Sequence, residues 1–600
     1  MNVRRVLVVV LSLGAAVVSA QGSLPTPASS LGFEPGADYK LATYTQAVDY
    51  LKKLDAASTS MQLFEAGKSS QGRTYVYAAI SSPANLANLE KYRQISLRLA
   101  HPEGLTDAEA KRLASEGKAI VHIDGGLHAT EVAGPQTMPL LAYDLISQAN
   151  DPKMARILDN VIFLLWPTIN PDGQEQVASH YMKTQGPDGR GGQSFPALYQ
   201  DYVGHDNNRD AYMMNMQESR VMEHAWRQWE PQIIYVHHQT APFPTRIWLP
   251  PFADPIGQEA PPMISRQLNM IGMAIARGLE EKGLPGATHM GTGFDAWYPG
   301  YIDYMPIFKN IAAFWTETAG AGLANPRTYT INDIPQNMRD FRPEPLYPSP
   351  WKPGLWRLRD SVDYMETASI STLDFAARYK DELLYDRYVA GRDQIARGRK
   401  EAPYAYVIPQ RQRDPMLAVE LLRRIAFSGV RVYQLTETAT IGGANYSAGT
   451  WVIPTDQEFA AMAREVLDVQ KYPDLRDFAG GPPEQPYDAS GWTLPLSMDV
   501  RVVAANAPIS AESRAAMKLL GGTLAAANGP TPYQSSTDLA PFDSVPGAGF
   551  DSMPNAAGVT PPAGNIFGRG PAISIDAVQI NTMRALQAAW KAGATVRFVP

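Results

Sequence analysis

Short apolar runs recur along the chain, separated by longer stretches in which apolar positions return with helical spacing. The runs at 75–80, 119–123, 161–166, 233–236 and 311–315 predict buried strands, and the segment 44–54 predicts a helix. Strands alternating with helices imply an α/β fold in which a mixed, mostly parallel sheet is sandwiched by helices. Ligands of such sheets gather beyond the carboxyl ends of the strands. Polar residues that directly follow an apolar run are therefore the ones to search for chemistry.

The pattern also divides the chain. A first α/β domain spans about 40–340. A proline-rich stretch at 341–356 then gives way to charged-apolar helical patterning through about residue 400, which reads as a linker with helices leaving that domain. From 401 to 600 a second, smaller α/β domain is expected, with apolar runs at 404–408, 430–435 and 450–453 and helices at 416–427 and 458–467. Within it, 528–571 is so rich in Gly, Pro, Ser and Asn that an irregular insertion is expected. The last residues, Thr-Val-Arg-Phe-Val-Pro, read as a further strand.

Residues 1–20 depart from the rest. Arg4 and Arg5 precede an apolar stretch from Val6 to Val18, and small side chains follow up to Ala20, the pattern of a secretory signal cleaved after Ala20. An uncleaved anchor is the alternative, although the run is shorter than the roughly 20 residues a bilayer span requires. Secretion or a periplasmic location follows, with no membrane insertion after cleavage. The 600 residues contain no cysteine, so no thiol serves as nucleophile, metal ligand or disulfide partner. A formal charge of −7 argues against a nucleic-acid partner.

The candidate chemistry begins at 119–131, where a β-branched run meets Gly125-Gly126 and then His128 and Glu131, three positions apart. A strand ending in a glycine turn can bring that imidazole and carboxylate to one point. This is half of a zinc site, which needs a third protein ligand and an open position for water. Four later segments place polar groups beyond apolar runs. The run 233–240 finishes in His237 and His238. Side chains alternate along a strand, so one of the two can face a metal, and His237 is favoured. In 204–210, Asn208 and Arg209 can grip a carboxylate and Asp206 can accept the second ring N–H of a ligating histidine. Glu317 ends the run at 311–315 as a candidate general base. Trp297-Tyr-Pro-Gly-Tyr301 is an aromatic turn that could close over a substrate.

At these residues the chain resembles the carboxypeptidase A-like zinc peptidases. His128-Ala-Thr-Glu131 resembles their His-x-x-Glu ligand pair, His237 their third ligand, and Asn170-Pro-Asp-Gly173 a turn they carry between the two. Asp206-x-Asn208-Arg209 resembles the segment in which the aspartate supports the first histidine and the Asn-Arg pair holds the substrate's terminal carboxylate. Phe314-Trp-Thr-Glu317 resembles the strand of the catalytic glutamate. By spacing, Arg190 stands where an arginine would polarise the scissile carbonyl, and Tyr298, with Tyr301 as competitor, where a tyrosine would cap the substrate. The chain departs from the pattern at Asn207, His238 and Asp210, positions that bear on the pocket.

The resemblance implies a secreted enzyme with one Zn²⁺, a water activated with Glu317 as base, and peptide or protein substrates with a free C-terminus. The region after 401 resembles amidotransferase-like domains appended to bacterial members, but that activity requires a cysteine and none exists. Two rivals stand beside this reading: a zinc amide hydrolase of the aspartoacylase kind acting on small N-acyl amino acids, and a non-catalytic peptide- or glycan-binding protein on a peptidase scaffold.

Overall fold

The structure, a computed structural model, describes residues 24–200, 203–241, 243–290, 293–320, 322–522, 529–534, 549–564 and 568–598. The expected signal segment lies outside the described residues, as does much of the expected insertion at 528–571. Among the described residues no helix is long and apolar enough to cross a membrane.

The strands of the large sheet are β1 (Met61–Lys68), β2 (Thr74–Ile80), β3 (Ala119–Asp124), β4 (Val161–Trp166), β5 (Ile233–His238), β6 (Ile247–Trp248), β7 (Ala287–Thr288) and β8 (Ala312–Thr318). Those of a small sheet are β9 (Ala405–Ile408), β10 (Tyr433–Leu435), β11 (Trp451–Pro454), β12 (Val503–Ala505) and β13 (Met517–Leu519). A late strand, β14 (Thr531–Pro532), returns to the large sheet. Its nine strands run in the order β14-β1-β2-β4-β3-β5-β8-β6-β7. The centre, β4-β3-β5-β8, is parallel, while β1, β2, β6 and β14 join it by antiparallel pairs. All six residues of β3, β4 and β5 are buried, which is why β4 reads as an unbroken apolar run and β3 and β5 as largely apolar ones.

The principal helices are α1 (Tyr44–Ala57), α2 (Ala133–Ser147), α3 (Pro171–Lys183), α4 (Gln217–Trp229), α5 (Pro262–Glu281), α6 (Leu358–Arg378), α7 (Lys380–Gly398) and α8 (Pro415–Phe427). Thr43 caps α1 in a reciprocal box with Gln46. The proline-rich stretch before α6 is irregular, but α6 itself does not leave the domain. It packs on α2 and α5 and against β3, β4 and β8. Val362, Met365, Ala368, Ser369, Thr372, Leu373 and Ala376 form its buried face. Several of these are small, which permits close approach while leaving the apolar signal faint.

The region after residue 401 also differs from expectation. A βα series implies neighbouring parallel strands, yet the small sheet, ordered β12-β9-β11-β10-β13, contains antiparallel pairs throughout. The crossover β9-α8-β10 does form, with β11 inserted between its two strands. Residues 595–598 form no strand.

A buried ionic cluster joins the two regions. Glu223 and Glu230 face Arg227, Lys309 and Arg387, and Glu230 also approaches His101, which bonds Glu458 at 2.7 Å. Burial alone would raise Glu230, but Arg227, His101 and Arg387 hold it down at about 2. Glu230→Ala removes the partner shared by Arg227 and Arg387. It is expected to cost about 3–5 kcal/mol, because an uncompensated buried charge is worse than no pair. A lower denaturation midpoint of the full chain checks this.

Candidate metal centre

The turn after β3 is what makes the site possible. A Cβ on Gly125 would lie 2.3 Å from the Pro167 carbonyl oxygen, and one on Gly126, at φ +91°, would lie 2.4 Å from that of His237. Two glycines therefore let the chain leaving β3 press against the end of β5. The next carbonyl, Leu127 O, accepts from Asn170 Nδ2 and Asn207 Nδ2, both at 3.1 Å. Asn207, unusual at its position in the sequence, is thus a buried support for the turn. The Glu131 N–H then closes a turn on His128 O at 2.9 Å.

His128, Glu131 and His238 converge, each offering a ligand atom within 4.8 Å of the others. His128 Nδ1 lies 2.8 Å from Glu131 Oε1, and His238 Nδ1 lies 3.1 Å from Glu131 Oε2. The other nitrogen of each ring faces outward to a carboxylate, His128 Nε2 to Asp206 Oδ1 at 3.0 Å and His238 Nε2 to Asp303 Oδ2 at 2.8 Å. Two imidazoles, one carboxylate between them and a carboxylate behind each ring are compatible with the donor set and outer support of a zinc site. The surplus of carboxylates calls for positive charge at the centre. Burial alone would lower both imidazoles, yet the carboxylates, Glu131 foremost, raise His128 well above its ordinary value and push His238 up to about 10.

His238, and not the favoured His237, is the histidine at this centre. His237 Nε2 bonds Ser369 Oγ at 2.9 Å on α6, and its ring packs on Tyr235. Because α6 covers that side of β5, alternation turns His238 to the cavity. Burial, with His238 adjacent, lowers His237 to about 3 and keeps it neutral.

Glu317 stands beside His238 in the parallel β5–β8 register. It is 5% exposed, and its Oε2 is buried without a hydrogen-bond partner. Burial pushes its carboxyl up to about 7, with Glu131 and Asp303 adding to the effect and His238 and His128 opposing it. Together with the three convergent residues, Asn208, Arg209, Thr240, Tyr301, Asp303, Trp315 and Tyr487 line a cavity of about 190 Å³.

The remaining expected residues fall as follows. Asp206 lies against His128 Nε2 at 3.0 Å and also accepts the Asn208 N–H at 2.8 Å. The Asn208 amide accepts from Ile302 N–H and donates to Asp303, so it positions the support of His238 while also lining the cavity. Arg209 borders the cavity, its guanidinium 4.7 Å above the Tyr301 ring. Tyr298 is buried beneath it, donating to Arg209 O at 3.1 Å, and of Tyr298 and Tyr301 it is Tyr301 that lines the cavity. Arg190 is exposed on a loop, over the Tyr39 ring, and does not line the cavity. Its selection rested on spacing alone. Asp303, Tyr487 and Asp488 were not found from sequence. Asp303 had a signal, as the single acid in the apolar run Tyr-Ile-Asp-Tyr-Met-Pro-Ile-Phe at 301–308.

Residues 47–232 match the Peptidase_M14 zinc carboxypeptidase family. The match includes His128, Glu131, Asp206 and Arg209 and stops short of His238 and Glu317. Carboxypeptidase B of Astacus astacus is 45% identical over 56 residues, 9% of this chain and 18% of that protein. Carboxypeptidase 2 of Trichophyton rubrum is 25% identical over 195 residues, 32% of this chain and 27% of that protein. The chain thus aligns with well under a third of either curated relative. Among solved structures, carboxypeptidase A of Helicoverpa armigera shares 16% identity with a TM-score of 0.33, covering 58% of this chain and 74% of its own. A metallo-carboxypeptidase of Burkholderia cenocepacia shares 14% with a TM-score of 0.34, covering 57% and 70%.

Proposed function

We propose that this chain is an exported zinc-dependent carboxypeptidase that hydrolyses the C-terminal peptide bonds of peptides or proteins. The observation that carries the reading is the pair of inward-facing Nδ1 atoms on Glu131, each ring backed by a carboxylate, with the unpartnered Glu317 Oε2 beside them. The match of 47–232 to zinc carboxypeptidases supports it, and the signal-like N-terminus supports export.

His128, Glu131 and His238 would hold one Zn²⁺, which supplies Lewis acidity and lowers the pKa of a water toward about 7. Glu317 would accept a proton from the attacking water and return it to the departing amine. Its burial keeps a proton acceptor desolvated beside the site. Asp206 and Asp303 fix the orientation of the two imidazoles, and Asn208 fixes Asp303. Arg209, the arginine that lines the cavity, binds the terminal carboxylate, and Tyr301 holds its guanidinium from below. With Arg190 directed elsewhere, no role at the carbonyl is assigned to it.

Metal analysis combined with mass-spectrometric mapping of products from a mixed peptide pool tests the reading. One zinc per chain and stepwise loss of single C-terminal residues are expected; internal cleavage would defeat it. Arg209→Ala removes a charge-assisted contact of about 1.5–3 kcal/mol, so kcat/KM for free-acid peptides should fall roughly 10- to 100-fold while C-terminally amidated peptides are unaffected. The small cavity also suits the second reading, an amide hydrolase of N-acyl amino acids, which predicts turnover of those compounds and none of peptides.

A further inference from the structure

The cavity wall is not built by the large sheet alone. Residues 470–493 form a strap that rises from the small-sheet region and returns to it. Its base is closed where Gln470 Oε1 accepts from Trp492 N–H and Thr493 Oγ1, both at 2.8 Å, and where the Trp492 indole donates to Glu465 O at 2.9 Å. Its far part is tied to the aromatic turn of the large domain. Tyr472 Oη and Tyr487 N–H both donate to Asp295 Oδ2 at 3.3 Å, Trp297 Nε1 donates to Ser490 O at 3.4 Å, and Trp492 packs on Trp297 and Tyr298. This places Tyr487 in the cavity wall and Asp488 on Arg209, with Arg209 Nε donating to Asp488 Oδ2 at 2.6 Å.

We propose that Asp488 is a specificity-determining residue that holds the place of a substrate's terminal carboxylate at Arg209 in the free protein and is displaced when such a substrate binds. The inference rests on the reading of Arg209 given above and extends it.

Three observations carry it. First, an arginine grips a carboxylate most firmly through two parallel N–H bonds, one edge of the fork being Nε with an Nη. Asp488 already takes Nε, and Arg209 Nη1 donates to Asn208 O at 2.9 Å. Second, Asp206 Oδ2 stands 3.8 Å from the same guanidinium, so two carboxylates already face one cation. A third would be repelled unless one withdraws, and Asp206 is tied to His128 and the Asn208 N–H, whereas Asp488 sits on a loop. Third, the Arg209 and Asp488 side chains are 25% and 23% exposed, so the contact can be reached and exchanged without opening the core.

The consequence is quantitative. A subsite occupied internally most of the time binds its ligand more weakly by the fraction of time it is free. Removing the internal carboxylate should strengthen binding of free-acid peptides and leave amidated ones unchanged.

The test uses the full-length, zinc-loaded Glu317→Gln chain, in which turnover is strongly slowed, and calorimetric titration with an N-acetylated tripeptide as the free acid and as the amide. Added Asp488→Asn should lower the Kd of the acid about tenfold and leave that of the amide unchanged, with Asp488→Ala moving it the same way. An acid affinity that stays level or falls would overturn the proposal, since Asp488 would then serve only to orient Arg209. Should either variant fold poorly, the parent Glu317→Gln chain supplies its own check. The acid, and not the amide, should increase proteolytic cleavage within 474–486, and an acid that leaves cleavage unchanged, or alters it no more than the amide does, would likewise count against displacement. If the parent chain binds acid and amide alike and Arg209→Ala changes neither, the failure lies with the assignment of Arg209 itself.

Discussion

Glu317→Gln is expected to reduce peptide turnover by roughly 100- to 10,000-fold, the range associated with a positioned acid–base group, while zinc stays bound at one ion per chain. The two halves of that result have separate causes. The convergent ligand atoms belong to His128, Glu131 and His238, so an isosteric amide at 317 leaves the donor set intact. On the proposed reading turnover depends on a carboxylate that can accept a proton and return it, and Glu317 supplies a buried one whose Oε2 has no hydrogen-bond partner. Steady-state rates with a C-terminal peptide substrate, set beside metal analysis of the same preparation, decide the matter. Loss of zinc would reassign Glu317 as a ligand, and retained turnover would remove it from the chemistry.

A second large effect is expected from two adjacent residues treated alike. His238→Ala should abolish stoichiometric zinc binding, because it deletes a ligand atom and leaves Asp303 facing an empty position. Loss of an outer partner alone typically weakens metal binding about 10- to 100-fold, and loss of the ligand itself should exceed that. His237→Ala should retain zinc. Its cost is structural, since it removes the hydrogen bond to Ser369 and the packing on Tyr235, and should appear as a lower midpoint of thermal unfolding. Metal content after dialysis distinguishes the pair, and the opposite pattern would place the wrong face of β5 toward the cavity.

That pair marks the boundary of what the sequence makes readable. The strands β3, β4, β5 and β8 stand out as apolar runs because each is buried along its whole length, and the polar residues that follow them are the ones the sheet gathers at its carboxyl edge. His128 and Glu131 lie side by side because the geometry that joins them spans four residues. Which of His237 and His238 faces inward is set by α6, whose Ser369 lies 132 positions away, and no local pattern carries that information. The same reason hides α6 itself, whose buried face contains Ala, Ser and Thr where long apolar side chains would have announced it. Only its distance along the chain from Asn208 points to Arg190, and separation in sequence does not fix separation in space across a loop. Asp303 interrupted an apolar run and could have been weighed as a buried acid. Asp488 could not, since its meaning depends on a contact across 279 positions with Arg209.

The strap bears on how such a protein can change over generations. Were the region beyond β9 an independent module, it could be traded between relatives with the hydrolytic machinery untouched. Here one of its loops furnishes Tyr487 and Asp488 to the rim of the pocket, so any such exchange also alters what the pocket admits. The rim of the pocket can therefore change through substitutions far in sequence from His128, Glu131 and His238.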